Sequence, residues 1–176
     1  MRASKLKLFI IVLVVFLAAA VVVSLAWPNT SEAPGNEHNP LAPGYHTVTD
    51  VIDGDTIKVD IDGRSETVRL IGINSPELPD ECFAQVASSV ARKILAGQQI
   101  KLEADKTQDN RDRYGRLLRY VILSDGTNFN RLMVTEGYAR EYTFITPYKF
   151  QSEFKEVQNA AKEKERGLWS PAACKQ

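Results

Sequence analysis

Five short segments of alternating apolar and polar residues, interrupted after the third by one stretch with a longer period, limit the folds open to this chain more than any other feature. Residues 45–51, 56–61 and 66–73 alternate β-branched residues with polar ones, the period of half-buried strands, and Asp62-Gly63 between the second and third is a two-residue hairpin signal. Across 80–96 the period changes. Phe83, Val86, Val90 and Ile94 recur on one helical face and Gly97 follows as a stop. Strand patterns return at 100–104 and 117–123, and Asp125-Gly126 marks another turn. A short helix is expected over 130–136, ended by Gly137. A longer one is expected over 148–166, with Phe150, Phe154, Val157 and Ala161 inward and Gly167 as its C-cap. Five strands with a helix between the third and fourth predict an α+β chain, a five-stranded OB-fold β-barrel carrying about three helices. Such barrels suit oligonucleotides, but a fold alone does not define a function.

The 176 residues leave room for one such domain and a tail, and hardly for two. Ahead of the barrel, residues 8–27 form a run of twenty without a charge, with Ser24 its only polar member, and ~20 apolar residues span a bilayer's hydrocarbon core. Arg2, Lys5 and Lys7 precede the run, whereas Glu32 and Glu37 follow it, so residues 1–7 are expected in the cytoplasm and the domain outside it. Ser24-Leu25-Ala26 offers a small-x-small cleavage pattern, so the run reads either as a retained transmembrane anchor or as a signal peptide cleaved after Ala26. Its length, beyond the usual ~7–15 residues of a signal core, favours the anchor. Residues 28–44, rich in proline, glycine and small polar groups, read as a linker. The domain is then 45–170, with 171–176 as a C-terminal tail. His38 in the linker and His46 at the edge of the first strand read as solvated side chains rather than metal ligands.

Hydrophobic content of 44% and charged content of 25% exclude a disordered chain. The formal net charge is zero, yet with the three N-terminal cations set apart the rest carries 19 basic against 22 acidic residues. Proteins that hold bulk nucleic acid are usually basic overall, so attraction to a polyanion must be local here, in a cleft with a metal rather than over a wide basic surface. Cys82 and Cys174 are the only cysteines, and an oxidising compartment permits a bridge between them. The alternative is two unpaired small hydrophobes.

Three motifs carry chemistry. Asp53-Gly54-Asp55-Thr56 lies about a dozen residues before Arg69-Leu70-Ile71-Gly72-Ile73-Asn74-Ser75-Pro76-Glu77, and Arg111-Asp112-Arg113-Tyr114-Gly115-Arg116 follows the fourth strand. Alone, Asp-Gly is a common turn whose acids face water. Together the motifs place carboxylates and arginines on neighbouring strand ends, where oxygen ligands suit calcium or magnesium and guanidinium forks match phosphate oxygens. Asp55 is the first expected metal ligand. Glu77 is the candidate for orienting or deprotonating an attacking water. Arg69 and Arg116 are assigned to the phosphate, whose growing charge they would bind more strongly in the transition state.

In these motifs and their order the chain resembles the staphylococcal nuclease (thermonuclease) family over roughly residues 45–170. The resemblance implies the OB-fold with extra helices on the C-terminal side, and calcium-dependent hydrolysis of DNA and RNA that leaves 3′-phosphate products. It also implies a metal set of Asp55, Asn74 and the Ser75 backbone carbonyl, with Asp53 acting through water. Asn74 departs from the family, which usually has a second aspartate there, so the site loses one negative charge and weaker cation binding is expected. Tyr114 matches a family tyrosine that hydrogen-bonds a terminal phosphate, with Asp112 and Arg113 supporting it. Tyr138 and Tyr142 flank Arg140 near the family's nucleobase platform, where core packing is an equal reading. A monomer is expected. The rival reading is a non-catalytic OB-fold nucleic-acid-binding module, against which the joint presence of Asp55, Arg69, Glu77 and Arg116 argues.

Overall fold

A computed structural model describes residues 44–79 and 81–174. The segments read above as N-terminus, anchor or signal, and linker therefore lie outside the described residues, except for Gly44. Among the described residues no helix is long and apolar enough to cross a membrane.

Five strands close a barrel: β1 (His46–Val51), β2 (Thr56–Ile61), β3 (Arg64–Leu70), β5 (Gln99–Glu103) and β6 (Leu117–Ile122), in the order β1-β2-β3-β6-β5. The first three form the expected meander, with Thr56 opposite Arg69 and Ile61 opposite Arg64. Asp62 and Gly63 both take left-handed φ in the hairpin, as a tight turn between twisted strands requires. Closure depends on a parallel contact of β3 with β6, Val68 to Leu117 through Leu70 to Arg119. Val48, Ile57, Val59, Val68, Leu70 and Ile100 are buried, in alternation along β2 and at the end of β3, while β6 buries two successive residues, Tyr120 and Val121, on its two faces.

Two elements differ from the sequence reading. The third strand stops at Leu70, and the chain turns through Gly72 (φ +79°) into β4 (Ile73–Asn74), which pairs with β7 (Arg140–Glu141) as a separate two-stranded sheet. A Cβ at Gly72 would lie 2.6 Å from the Tyr148 ring, so only glycine fits this turn. The other difference concerns α1 (Ala84–Leu95), whose buried residues are Ala84, Ala87, Ser88, Ala91 and Leu95, while Val86 is exposed. Small side chains and Leu95 make the buried face, Val90 and Ile94 pack beside it, and Ala87 sits where the helix passes close to the turn at Gly54.

After β6 come α2 (Phe129–Thr135), capped by the Asn128 side chain on the Arg131 N–H (3.1 Å), and α3 (Gln151–Glu163). The expected helix over 148–166 is thus shorter at both ends, and Gly167 is not its cap. Glu165 takes the left-handed conformation (φ +50°), and Gly167 opens a 3₁₀ turn, Gly167–Trp169, packed against the Gly137 backbone. Phe154 and Ala161 are buried as expected, with Phe150 and Val157 packed beside them. Trp169 lies against α3, with the Lys162 Nζ 4.7 Å from its ring centroid. Cys82 and Cys174 form a disulfide across 92 residues, joining the segment before α1 to the C-terminal tail.

Candidate active site

The turn between β1 and β2 puts Asp55 inside the protein, 2% exposed. Its Oδ2 accepts the Ser75 N–H (2.7 Å) and its Oδ1 the Thr56 hydroxyl (3.0 Å). Asp53 holds the turn by accepting the Asp55 N–H (2.9 Å). A Cβ on Gly54 would lie 2.6 Å from the Ser75 Cβ and 3.3 Å from that of Ala87, so glycine is what lets the two turns and α1 converge. Burial pushes the Asp55 carboxyl up to about 6, and neighbouring Asp53 adds to this. Arg69, the Ser75 N–H and the Thr56 hydroxyl pull the other way.

Arg69 covers Asp55. Its Nε lies 3.1 Å from Asp55 Oδ1, its Nη1 donates to the Leu70 and Ile73 carbonyls (2.8 Å each), and its Nη2 donates to Asn74 Oδ1 (2.9 Å). Only 13% of its side chain is exposed. Asp55 and Asn74, nineteen residues apart in the chain, therefore present oxygens to one edge of one cation. That convergence fits a hard cation: a carboxylate, an amide oxygen and the carbonyl of buried Ser75 are ligands calcium accepts, with water completing its ~6–8 oxygens. Among the described residues no group of three or more His, Cys, Asp or Glu side chains is placed to hold a metal.

Arg116 lines a cleft of about 600 Å³ together with Arg69, Asn74, Glu77, Tyr114 and Tyr142. Asp112 fixes the hairpin at 112–116, accepting the Tyr114 N–H (2.9 Å), the Arg116 N–H (3.0 Å) and the Arg116 Nε–H (2.7 Å). Burial alone would raise the Asp112 carboxyl, but these donors outweigh it and hold it below the usual carboxylate range. With Nε tied back, the two Nη groups of Arg116 have no protein acceptor among the described residues. Glu77 is exposed, and its backbone N–H donates to Glu81 Oε2 (3.1 Å). Tyr114 is 67% exposed, with the Arg113 and Arg116 guanidinium carbons 4.7 and 5.4 Å from its ring centroid.

Of the residues expected from sequence, Asp53, Asp55 and Ser75 do not line the cleft, and Asp55 lies behind Arg69. Tyr138 is half-buried and stacks on Phe83 (6.1 Å between centroids), outside the cleft lining. Sequence reasoning passed over Phe144 and Ile145, exposed beside Tyr142 on the cleft wall, and Thr107 and Gln108, which tie the opposite rim to that loop through Thr146 and Pro147. The run Tyr142, Phe144, Ile145 ahead of Pro147 was the available signal, since apolar residues in a turn have little to bury against.

A barrel mouth that gathers oxygen ligands and unsaturated guanidinium groups around one cleft belongs to the OB-type proteins that handle anionic ligands. The model of the family described as staphylococcal nuclease homologue matches residues 67–171. The chain is 33% identical over 168 residues to a thermonuclease of Staphylococcus hyicus, covering 90% of this chain and 95% of that protein. It is 35% identical over 162 residues to a thermonuclease of Staphylococcus intermedius, covering 89% and 95%. With endonuclease YncB of Bacillus subtilis (strain 168) it shares 35% identity over 130 residues, 70% of this chain and 61% of that one. The chain belongs to the staphylococcal nuclease homologue family.

Proposed function

We propose that this protein is a nuclease that hydrolyses the phosphodiester bonds of DNA and RNA with calcium as its cofactor, leaving 3′-phosphate products. The observation that supports the reading best is the arrangement of Arg69, Asn74, Glu77, Tyr114 and Arg116 around a single cleft, with the Asp55 carboxylate directly behind Arg69. Asp55, Asn74 and the Ser75 carbonyl would hold the cation, with Asp53 as a further carboxylate beside Asp55. When bound, calcium supplies positive charge beside the scissile phosphate.

The protein's own groups supply the rest. Glu77 orients a water and takes its proton as the water oxygen bonds to phosphorus. The bond from phosphorus to the 5′ oxygen breaks and that oxygen takes a proton from solvent water, so one fragment keeps a 3′-phosphate and the other leaves with a 5′-hydroxyl. Arg116 offers its two Nη groups to the phosphoryl oxygens, and Arg69 meets the same group, both gaining as charge builds up. Tyr114 hydrogen-bonds a terminal phosphate, and Tyr142 stacks on a base with little sequence preference. Single-stranded or frayed substrate is preferred, because stacking on an exposed ring requires a base out of its duplex. The protein acts as a monomer outside the cytoplasm, anchored through residues 8–27 or released after Ala26.

Incubating the full chain with single-stranded DNA, in calcium or in chelator, tests this. Digestion in calcium that stops in chelator is expected. DNA retained without cleavage under both conditions would show a binding module instead.

A further inference from the structure

The pose of Arg69 has a consequence for how the site fills. Asp55 Oδ1 and Asn74 Oδ1, two of the oxygens assigned to the cation, both face the Nε–Nη2 edge of this arginine, at 3.1 and 2.9 Å. The opposite corner, Nη1, is anchored separately by the Leu70 and Ile73 carbonyls. The two side-chain oxygens carry one negative charge between them, which the guanidinium already balances. A divalent ion added to the same oxygens with Arg69 still in place would bring two further positive charges with only the neighbouring Asp53 to offset one of them, in a site where Asp55 is 2% exposed and solvent screens little.

We propose that Arg69 is the built-in counter-ion of the Asp55–Asn74 pair, and that a divalent cation binds only by displacing its Nε–Nη2 edge, which then turns into the cleft to take a phosphate. The inference rests on the reading that Asp55 holds the cation. Nη1, kept on its two carbonyls, serves as the pivot, so the guanidinium rotates rather than leaves. Metal and phosphate then bind cooperatively: the metal releases the arginine edge, and the phosphate gives that edge a new partner and offsets the excess charge. Asn74 makes the competition sharp, since an aspartate there would supply a charge for each cation.

Calorimetry of the full chain with calcium chloride, with and without a phosphorothioate dinucleotide that resists cleavage, tests the proposal. In Arg69→Ala the calcium affinity without dinucleotide rises by about tenfold, within the usual range for coupled sites, and the dinucleotide no longer improves it. In Asn74→Asp calcium binds more tightly, and the gain from the dinucleotide shrinks. Unchanged or weaker calcium binding in a folded Arg69→Ala protein overturns the proposal. Where Arg69→Ala does not fold, the wild-type Arg69 Nε resonance decides: it shifts on calcium addition if the edge is displaced, and an unmoved resonance at saturating calcium overturns the inference. Absence of calcium binding, or binding unaffected by Asp55→Ala, sinks the underlying assignment of the cation to Asp55, an outcome distinct from failure of the competition.

Discussion

The two arginines that line the cleft are held in opposite ways. Arg69, at the end of β3, is 13% exposed and engaged on all sides, by a buried carboxylate, an amide oxygen and two backbone carbonyls. Arg116, on the 112–116 hairpin, is 31% exposed and tied through Nε to Asp112, with both Nη groups turned loose. One wall of the site is thus saturated and coupled to the fold, whereas the other is oriented and open. A guanidinium that helps bury a carboxylate contributes to stability and to function together, and one on a surface hairpin contributes to function almost alone.

Rates and stabilities of the two alanine variants break or sharpen this contrast, and they carry the largest effects. Arg69→Ala and Arg116→Ala each lower the turnover of DNA by ~10²–10³, the usual cost of losing one preorganised donor at a developing charge. Their stabilities separate. Without calcium, Arg69→Ala loses about 3–5 kcal/mol, since Asp55 is left buried without its partner, whereas Arg116→Ala loses about 1 kcal/mol or less. Chemical denaturation at neutral pH in chelator measures both, and equal losses would erase the distinction drawn here.

The pH dependence of stability has opposite signs on the two walls. The Asp55 carboxyl is raised to about 6 in the folded protein, so between pH 4 and 6 the folded state holds more proton than the unfolded chain. Its contribution is fully present below about 4 and is lost as pH rises through about 6, a swing on the order of 3 kcal/mol. The calcium-free protein therefore melts higher at pH 5 than at pH 7, and Asp55→Asn removes the rise. Asp112 is held below the usual range, so its contribution is present above the unfolded value and is lost as pH falls through the lowered one. Below pH 4 the melting temperature drops, and Asp112→Asn flattens that drop. Melting curves in chelator from pH 3 to 8 test both signs.

A smaller effect comes from the support of the open wall. Asp112→Asn weakens the bond that aims Arg116, so kcat/KM falls by about tenfold, the worth of one charge-assisted hydrogen bond, while calcium affinity stays unchanged. A matching loss of calcium affinity would mean that the walls are not independent.

What the sequence disclosed and what it concealed follow the same division. The strand alternation, the Asp62-Gly63 hairpin and the helix between the third and fourth strands were legible because each is a local pattern. So were the three motifs, whose residues lie at strand ends and in turns. The inward face of α1 was not, because large apolar residues dominate a periodicity reading, while much of the buried face is Ala84, Ala87 and Ala91, with Ala87 in close approach to Gly54. The β4–β7 pair was hidden as well, since two-residue strands joined across more than sixty residues leave no period to detect. The engagement of Arg69 was hidden most deeply, because two of its four partners are backbone carbonyls, which any residue could supply.

The most direct test of the catalytic reading is the chemistry of the cut ends. Single-stranded DNA digested by the full chain in calcium is predicted to carry 3′-phosphate and 5′-hydroxyl termini, and Glu77→Gln is predicted to bind the same DNA with its cleavage lowered by ~10²–10⁴. Cleavage that survives in Glu77→Gln at the wild-type rate, or fragments ending in 5′-phosphate, would contradict it.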